Sequence, residues 1–527
     1  MHPRADRLQR RARSYLANGQ WAAARESLSA ALEIAPDDDE CRLELALVES
    51  RLGHYASARA HTFAACASTP ASAALALPRL QALRAFHAHG EMRRLAMSID
   101  LRTVESAQQS ADIALCLQSA GHVLLAQQFM RRALNAAPAG PVLQTQAALI
   151  DLAAGDVAAA HHAAAAVCAG DTVVPMAHWL LARLHADDAD RRAHARQLDR
   201  LLKRCGQDAE AEAFLAYALH NLLDRLGDVE PAWTALERGC VAKRSLLHYD
   251  EAAEIALNQA LMSEPHSVSA SIDGTAEAPT PIFIVGMHRS GTSLLERVLE
   301  GHPSVAAGGE SYRLSAALFA ATDHACRGVA DLELLRRART IDAERVGRAY
   351  LDAHAWLLDG RSHFTEKLPG NYRLVGLIRR LLPQARVLHL VRDPLDTCWS
   401  NLRELFALDN AAYSYRQDEL GRAYRRCQQL MSHWQAQAPE RLLEVHYADL
   451  VQRAEATARM VLDFCGLSWH AECMRVESRE EPVRSASALQ VREPIHARSL
   501  GRAAPYRHRL GGLRAALAGD PSLLAAD

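Results

Sequence analysis

Lysine is nearly missing from this chain. Of the 60 basic residues in its 527, lysine supplies only those at 203, 243 and 367. Arginine carries the rest, so Lys367, alone in the C-terminal half, stands out as a position with a chemical reason. Paired cysteines are also missing. The eleven cysteines are scattered, with no C-x-x-C and no His/Cys cluster at zinc-motif spacing. That pattern excludes a disulfide framework and reads as reduced, buried thiols with no metal expected. No apolar run is long enough to span a membrane, and the polar stretch Met1–Arg11 does not read as a signal peptide, so a cytoplasmic protein is expected. Charge of one sign is missing too: a net charge of −2 gives no pull towards nucleic acid. What is present is ample apolar content, 49%, and length for two or three domains.

Residues from about 5 to 260 are rich in alanine and leucine, poor in proline, and helical in period. They also repeat. Gly19, Trp21, Ala24 and Arg25 are answered 34 residues later by Gly53, Tyr55, Ala58 and Arg59. Gly121, Ala126 and Pro138 fall in the same phase, then Gly155 and Ala160, and Gly227 with Ala232 after two longer units. Between 87 and 120 the unit is degenerate, and Gly90 reads as displaced by an insertion. A helix–turn–helix unit of this length, with glycine before an aromatic and small residues where helices touch, resembles the tetratricopeptide repeat. The resemblance implies an all-α superhelix over 1–262 whose groove takes a protein or peptide partner, or which supports the second domain or a homodimer surface. Ser263–Pro281 is small, polar and punctuated by proline, so 263–280 reads as a linker.

From 281 to 527 the pattern alternates strand and helix. Ser362–Glu366, Ala385–Val391 and Leu442–His446 read as strands. Asn371–Leu382, the stretch from Leu395, Asp418–Gln437 and Asp449–Cys465 read as helices. The expectation is an α/β, P-loop-like domain with a mainly parallel sheet and its ligand at the carboxyl ends of the strands.

The domain opens on a phosphate cradle. Ile282–Val285 is a β-branched strand, Gly286–Ser293 a glycine loop, and Leu294, Leu295, Val298 and Leu299 recur at helical spacing. Loop N–H groups and the helix start would face an anion, with Arg289, Ser290, Thr292 and Ser293 adding donors. The glycine spacing is that of a nucleotide P-loop, but Thr292 and Ser293 stand where Lys and Ser/Thr would be. A kinase or NTPase is therefore disfavoured.

Further segments lie at the ends of other strands: Glu366-Lys367-Leu-Pro369, Val391-Arg392-Asp393-Pro394 with Ser400, His446-Tyr447, and the run from Arg484 through Ser487, Gln490 and Pro494 to Arg502. Together with Arg289-Ser-Gly-Thr-Ser293 and with His302-Pro303 leading to Glu310, they resemble the sulfotransferases that use 3′-phosphoadenosine 5′-phosphosulfate (PAPS), above all tyrosylprotein sulfotransferases. The resemblance covers about 281–505. It implies that Arg289, Ser290, Gly291, Thr292 and Ser293 hold the 5′-phosphate. It places Arg392 and Ser400 on the 3′-phosphate, with Arg502 adding charge and Tyr447 and Gln490 in the donor site. Lys367 would stabilise the leaving phosphate, Ser487 would donate to the moving sulfuryl group, and Glu310 would take the acceptor's proton. No metal is implied. The pattern departs from the tyrosyl enzymes twice: Tyr312 stands for an arginine, with Arg313 next to it, and Glu404 stands for another, with Arg403 adjacent. A peptide tyrosine is the expected acceptor. A carbohydrate or small-molecule hydroxyl is the alternative, and a repeat scaffold that only binds nucleotide is a further one.

Overall fold

The computed structural model describes residues 2–67, 75–104, 106–263, 278–407, 409–479 and 492–519. Up to Ser263 every described element except the short turn of helix Leu101–Thr103 is an α-helix, beginning with Pro3–Ala17 and Trp21–Ile34, then Asp39–Arg51 and Tyr55–Ala65. Neighbours pack in pairs. The phased glycines explain themselves in the turns: Gly19, Gly53, Gly121, Gly155 and Gly227 have φ between +70° and +103°, a region where a side chain is disfavoured. One expectation is corrected here. No insertion displaces the third unit. The position in phase, residue 87, is a histidine that itself adopts φ +52°. Gly90 lies inside helix His89–Ser98, and it is small for another reason: a Cβ there would come within 2.6 Å of Trp356.

By packing, the chain forms two compact units. The first is Met1–Ala139 with Ser311–Leu357, and the second is Gly140–Glu310 with Leu358–Asp527. In the first, Tyr55 meets Phe86 and Phe319 edge-on at centroid distances of 5.0 and 5.8 Å. The Ala56 N–H donates to Asp323 Oδ1 at 2.7 Å.

The second unit holds the sheet. Strands β1 (Thr280–Gly286), β2 (Val305–Ala306), β3 (His363–Glu366), β4 (Arg386–Val391) and β5 (Leu442–His446) lie in the order β2-β3-β1-β4-β5. Every pairing is parallel. β1 reads as an unbroken apolar run because both its faces are covered. Ile282 and Ile284 join Leu388, Leu390 and Val445 against Leu295 and Val298 of helix Thr292–Glu300 and Val461 of helix Ala454–Phe464. Phe283 and Val285, on the opposite face, are equally buried.

Two expected helices differ in detail. Asn371–Leu382 begins as a tighter 3₁₀ turn, Pro369–Leu374, before the α-helix Val375–Leu381. Asp449–Cys465 breaks at Arg453 (φ −132°, ψ 46°) into Tyr447–Gln452 and Ala454–Phe464. The last repeat helices belong to this same unit. Tyr217 of helix Ala209–Leu226 donates to the Leu402 carbonyl at 2.8 Å. Trp233 of helix Val229–Ser245 stacks on Trp399, which stacks on Tyr506 at 4.2 Å.

Candidate active site

Parallel strands end together, so residues that follow β1, β3, β4 and β5 gather along one edge of the sheet. After β1 the chain turns through Gly286 (φ +145°), Arg289 (φ +67°) and Gly291 (φ +111°) into helix Thr292–Glu300. Gly286 and Gly291 are needed for space as well as conformation. A Cβ on Gly286 would come within 2.8 Å of the Leu390 carbonyl, and one on Gly291 within 2.4 Å of the Tyr447 ring. Tyr447, just after β5, thus forms the wall of the loop. Among the described residues no side chain caps the helix start. The Ser290 hydroxyl is buried and has no hydrogen-bond partner among the described residues. An unmet donor is costly unless a ligand meets it, so the loop's chemistry fits a phosphate-bearing donor.

Arginines surround this loop. Arg289 Nε donates to Ser400 Oγ at 3.3 Å, and its Nη2 lies 3.8 Å from Glu404. Arg392, just after β4, donates to the Arg289 carbonyl at 3.3 Å and to the Ser499 carbonyl, and lies over the Tyr447 ring at 5.0 Å. Burial pushes both guanidiniums below arginine's ordinary value; Glu404 partly offsets this at Arg289, and Tyr447 and Asp396 do so at Arg392. A bound dianion would relieve that cost more fully. Arg502 is half-exposed and pairs with Asp224 at 2.9 Å, yet its charge still acts on Arg392.

After β3 stands Lys367, which is buried. Its Nζ donates to Glu310 Oε1 at 2.5 Å and lies 4.0 Å from Glu296 Oε2. The segment carrying Glu310 is tied to β3: the Gly308 N–H donates to Thr365 Oγ1 at 3.1 Å, and the Lys367 N–H to the Gly309 carbonyl at 3.0 Å. Lys367 and Glu310, far apart in the chain, therefore meet directly.

The structure brings together Arg289, Ser290, Gly291, Arg392, Ser400 and Tyr447 at the loop, with Thr292 and Ser293 opening its helix. Lys367 and Glu310 form the adjoining pair. Ser487 and Gln490 lie outside the described residues. Of the two departures, Glu404 is an ion-pair partner rather than a phosphate ligand; it joins Arg289 to Arg183 of helix Pro175–Leu184, the latter at 3.4 Å. Arg313 is buried with its guanidinium over Trp356 at 5.3 Å, and the Tyr312 ring stacks on His87 at 5.3 Å.

Sequence reasoning missed Glu296 and His288. Glu296 accepts from Thr365 Oγ1 at 2.9 Å and the Gly309 N–H at 3.0 Å, and burial raises its carboxyl above the ordinary range. Its signal was a carboxylate one turn into a helix whose neighbours Leu295, Val298 and Leu299 are core. His288 shares a 2.8 Å hydrogen bond with the Tyr413 hydroxyl, and burial pushes it down to about 4. Nothing in the local sequence signalled that contact.

Fold and site together define an α/β domain with a glycine loop, leading into a helix start and flanked by arginines, at the carboxyl edge of a parallel sheet. Residues 281–471 match the sulfotransferase family, and residues 5–48 match the tetratricopeptide repeat. The sulfotransferase match lies within the C-terminal half and follows the repeat region. An uncharacterized protein of Aquifex aeolicus (strain VF5) is 27% identical over 315 residues, covering 58% of this chain and 41% of its own. Protein-tyrosine sulfotransferase 2 of Gallus gallus is 25% identical over 197 residues, covering 36% of this chain and 51% of its own. The chain thus spans 38% to 54% of the length of these curated relatives and two further protein-tyrosine sulfotransferases. Among solved structures, the sulfotransferase domain of the Synechococcus PCC 7002 olefin synthase aligns with 18% identity and a TM-score of 0.31, over 44% of this chain and 90% of that one.

Proposed function

We propose that this chain transfers a sulfuryl group from PAPS to an acceptor hydroxyl, a tyrosine in a protein or peptide. The observation that carries the reading is the meeting of the Lys367–Glu310 pair with a loop holding an unmet Ser290 hydroxyl and buried arginines. Arg289, Ser290, Gly291, Thr292 and Ser293 would hold the donor's 5′-phosphate, and Arg392 and Ser400 its 3′-phosphate, with Arg502 nearby. Bound there, PAPS supplies the sulfuryl group. Lys367 would turn from Glu310 towards the leaving phosphate and neutralise its growing charge. Glu310, so released, would take the acceptor's hydroxyl proton at Oε1. Glu296 would keep the ammonium in place through this exchange. Ser487 would donate to the moving group, and Tyr447 and Gln490 would line the donor site. None of these roles needs a metal.

The tyrosine acceptor is supported by the protein-tyrosine sulfotransferases among the relatives and by a repeat region suited to an extended peptide. With Tyr312 in an arginine's place and Arg313 buried, no strong demand for acidic flanking residues is expected. The domain limits 1–262, 263–280 and 281–527 and a cytoplasmic setting belong to the same proposal. The test is mass spectrometry after incubating the full chain and PAPS with a tyrosine peptide library, sugars and simple phenols. Sulfated tyrosine is the expected product. Sulfation confined to carbohydrate would overturn the acceptor, and absence of transfer to any of them would overturn the activity.

A further inference from the structure

Away from the sheet, three successive helices of the repeat region each bury one soft or nitrogen ligand at a common point. They are Cys168 of helix Val157–Ala169, His178 of helix Pro175–Leu184 and His194 of helix Asp188–Leu202. One donor atom from each lies within 4.8 Å of the others, and all three residues are buried. We propose that Cys168, His178 and His194 bind a zinc ion.

The geometry supports this in detail. His178 Nδ1 and His194 Nε2 are 2.9 Å apart. Zinc–nitrogen bonds of about 2.0–2.1 Å in a tetrahedron need ligand atoms roughly 3.3 Å apart, so the rings need separate by only a few tenths of an ångström. The other nitrogen of His194, Nδ1, lies 3.0 Å from His185 Nε2. A metal-bound imidazole ordinarily donates its second N–H to such an outer partner, which fixes its tautomer. One thiolate and two imidazoles suit zinc and exclude the hard cations magnesium and calcium. Cys168 would bind as thiolate, its proton passing to solvent, and a water would complete the tetrahedron. The competing arrangement is a hydrogen-bonded chain, His178–His194–His185, without an ion.

The cluster was invisible in the sequence because its members stand 10 and 16 residues apart, on separate helices rather than in one compact loop. Its position also has a consequence. The middle helix carries Arg183, which pairs with Glu404, the partner of Arg289. Zinc would fasten the helix that reaches the phosphate loop.

The experiment uses the full chain purified without a histidine tag. Elemental analysis should find one zinc per chain, falling by about tenfold or more in Cys168→Ala and in His194→Gln. Because either variant could fold poorly, the wild-type chain supplies a second readout. A chelator should lower its melting temperature, and zinc but not magnesium should restore it. Cobalt added to the stripped protein should give a thiolate charge-transfer band, absent in Cys168→Ala. Wild-type protein that holds no more zinc than the variants, with a melting temperature indifferent to chelator and zinc, would overturn the site and leave the histidine chain.

Discussion

At the scale of single residues, the site is held together by charges that cost energy until a ligand arrives. Arg289 and Arg392 are buried deeply enough to fall below arginine's ordinary value. Each charge-assisted phosphate contact is worth about 1.5–3 kcal/mol. Arg289→Ala and Arg392→Ala should therefore each weaken binding of 3′,5′-bisphosphoadenosine by about tenfold to a hundredfold in calorimetry, while ATP with magnesium shows no comparable affinity for the wild type. Unchanged affinity in both variants would remove the donor assignment. The Lys367–Glu310 pair separates binding from chemistry. Glu310→Ala and Lys367→Ala should lower turnover by about 10²-fold or more, yet Glu310→Ala should bind the bisphosphate almost as the wild type does. Near-normal turnover in Glu310→Ala would place the base elsewhere.

At the scale of elements, packing fixes residues whose reasons are not local. Gly90 shows this best. Its place inside helix His89–Ser98 predicts that Gly90→Ala should gain up to about 1 kcal/mol of helix propensity. Trp356 reverses the sign, because the new methyl would meet its ring at 2.6 Å, and such overpacking costs about 1–3 kcal/mol. Denaturant unfolding should show Gly90→Ala less stable than the wild type and Gly90→Ala with Trp356→Leu recovered; equal or higher stability in the single variant would refute the contact. The same contrast explains what was legible in the sequence. β1 was readable because a parallel strand buried on both faces is an unbroken apolar run, and β4 nearly so, whereas the edge strand β5 showed only the short apolar stretch Leu442–Val445 around an exposed Glu444. The repeat was readable because left-handed turns select glycine. Lys367, Arg392 and Tyr447 were placed because each directly follows a strand. The two-residue β2 carries no period to detect. Glu296, His288 and the Cys168–His178–His194 cluster depend on partners brought near only by the fold. The packing of Phe319, Asp323 and Trp356 against the early repeats has no signal in either stretch alone.

At the scale of the whole molecule, stability should depend on pH through buried histidines and on length through the last repeats. His220 and His288 are pushed by burial from an ordinary 6.5 down to about 4. The unfolded chain takes up these protons near 6.5, whereas the folded chain resists until about 4. Their stabilisation is thus complete above 6.5 and lost as pH falls through that window, on the order of 3 kcal/mol for each. Glu296, raised by burial, works the other way: its contribution is present at low pH and lost as pH rises through its folded value. Melting temperature should fall between about pH 7 and 4.5, less steeply in His220→Phe; identical slopes would exclude His220 as a source. His220 also sits where chain length matters. It packs edge-on to Trp399 at 5.9 Å and lies 6.4 Å from the Tyr506 ring, with Trp233 stacked on Trp399. Asp224, one turn further along, pairs with Arg403 and Arg502, each at 2.9 Å. A chain begun at Ala278 would lose the helices bearing Tyr217, His220, Asp224 and Trp233. Trp399 would be opened to water and the part-buried Arg403 left without its carboxylate, a loss smaller than the about 3–5 kcal/mol of breaking a fully buried pair. A chain begun at Gly140 would keep every one of these contacts. The expectation is that the Gly140 chain melts cooperatively and binds the bisphosphate, while the Ala278 chain aggregates or melts at a much lower temperature. If the shorter chain melts as high and binds as tightly as the longer one, the last repeats are dispensable to the sulfotransferase domain and the aromatic stack around Trp399 contributes little to its stability.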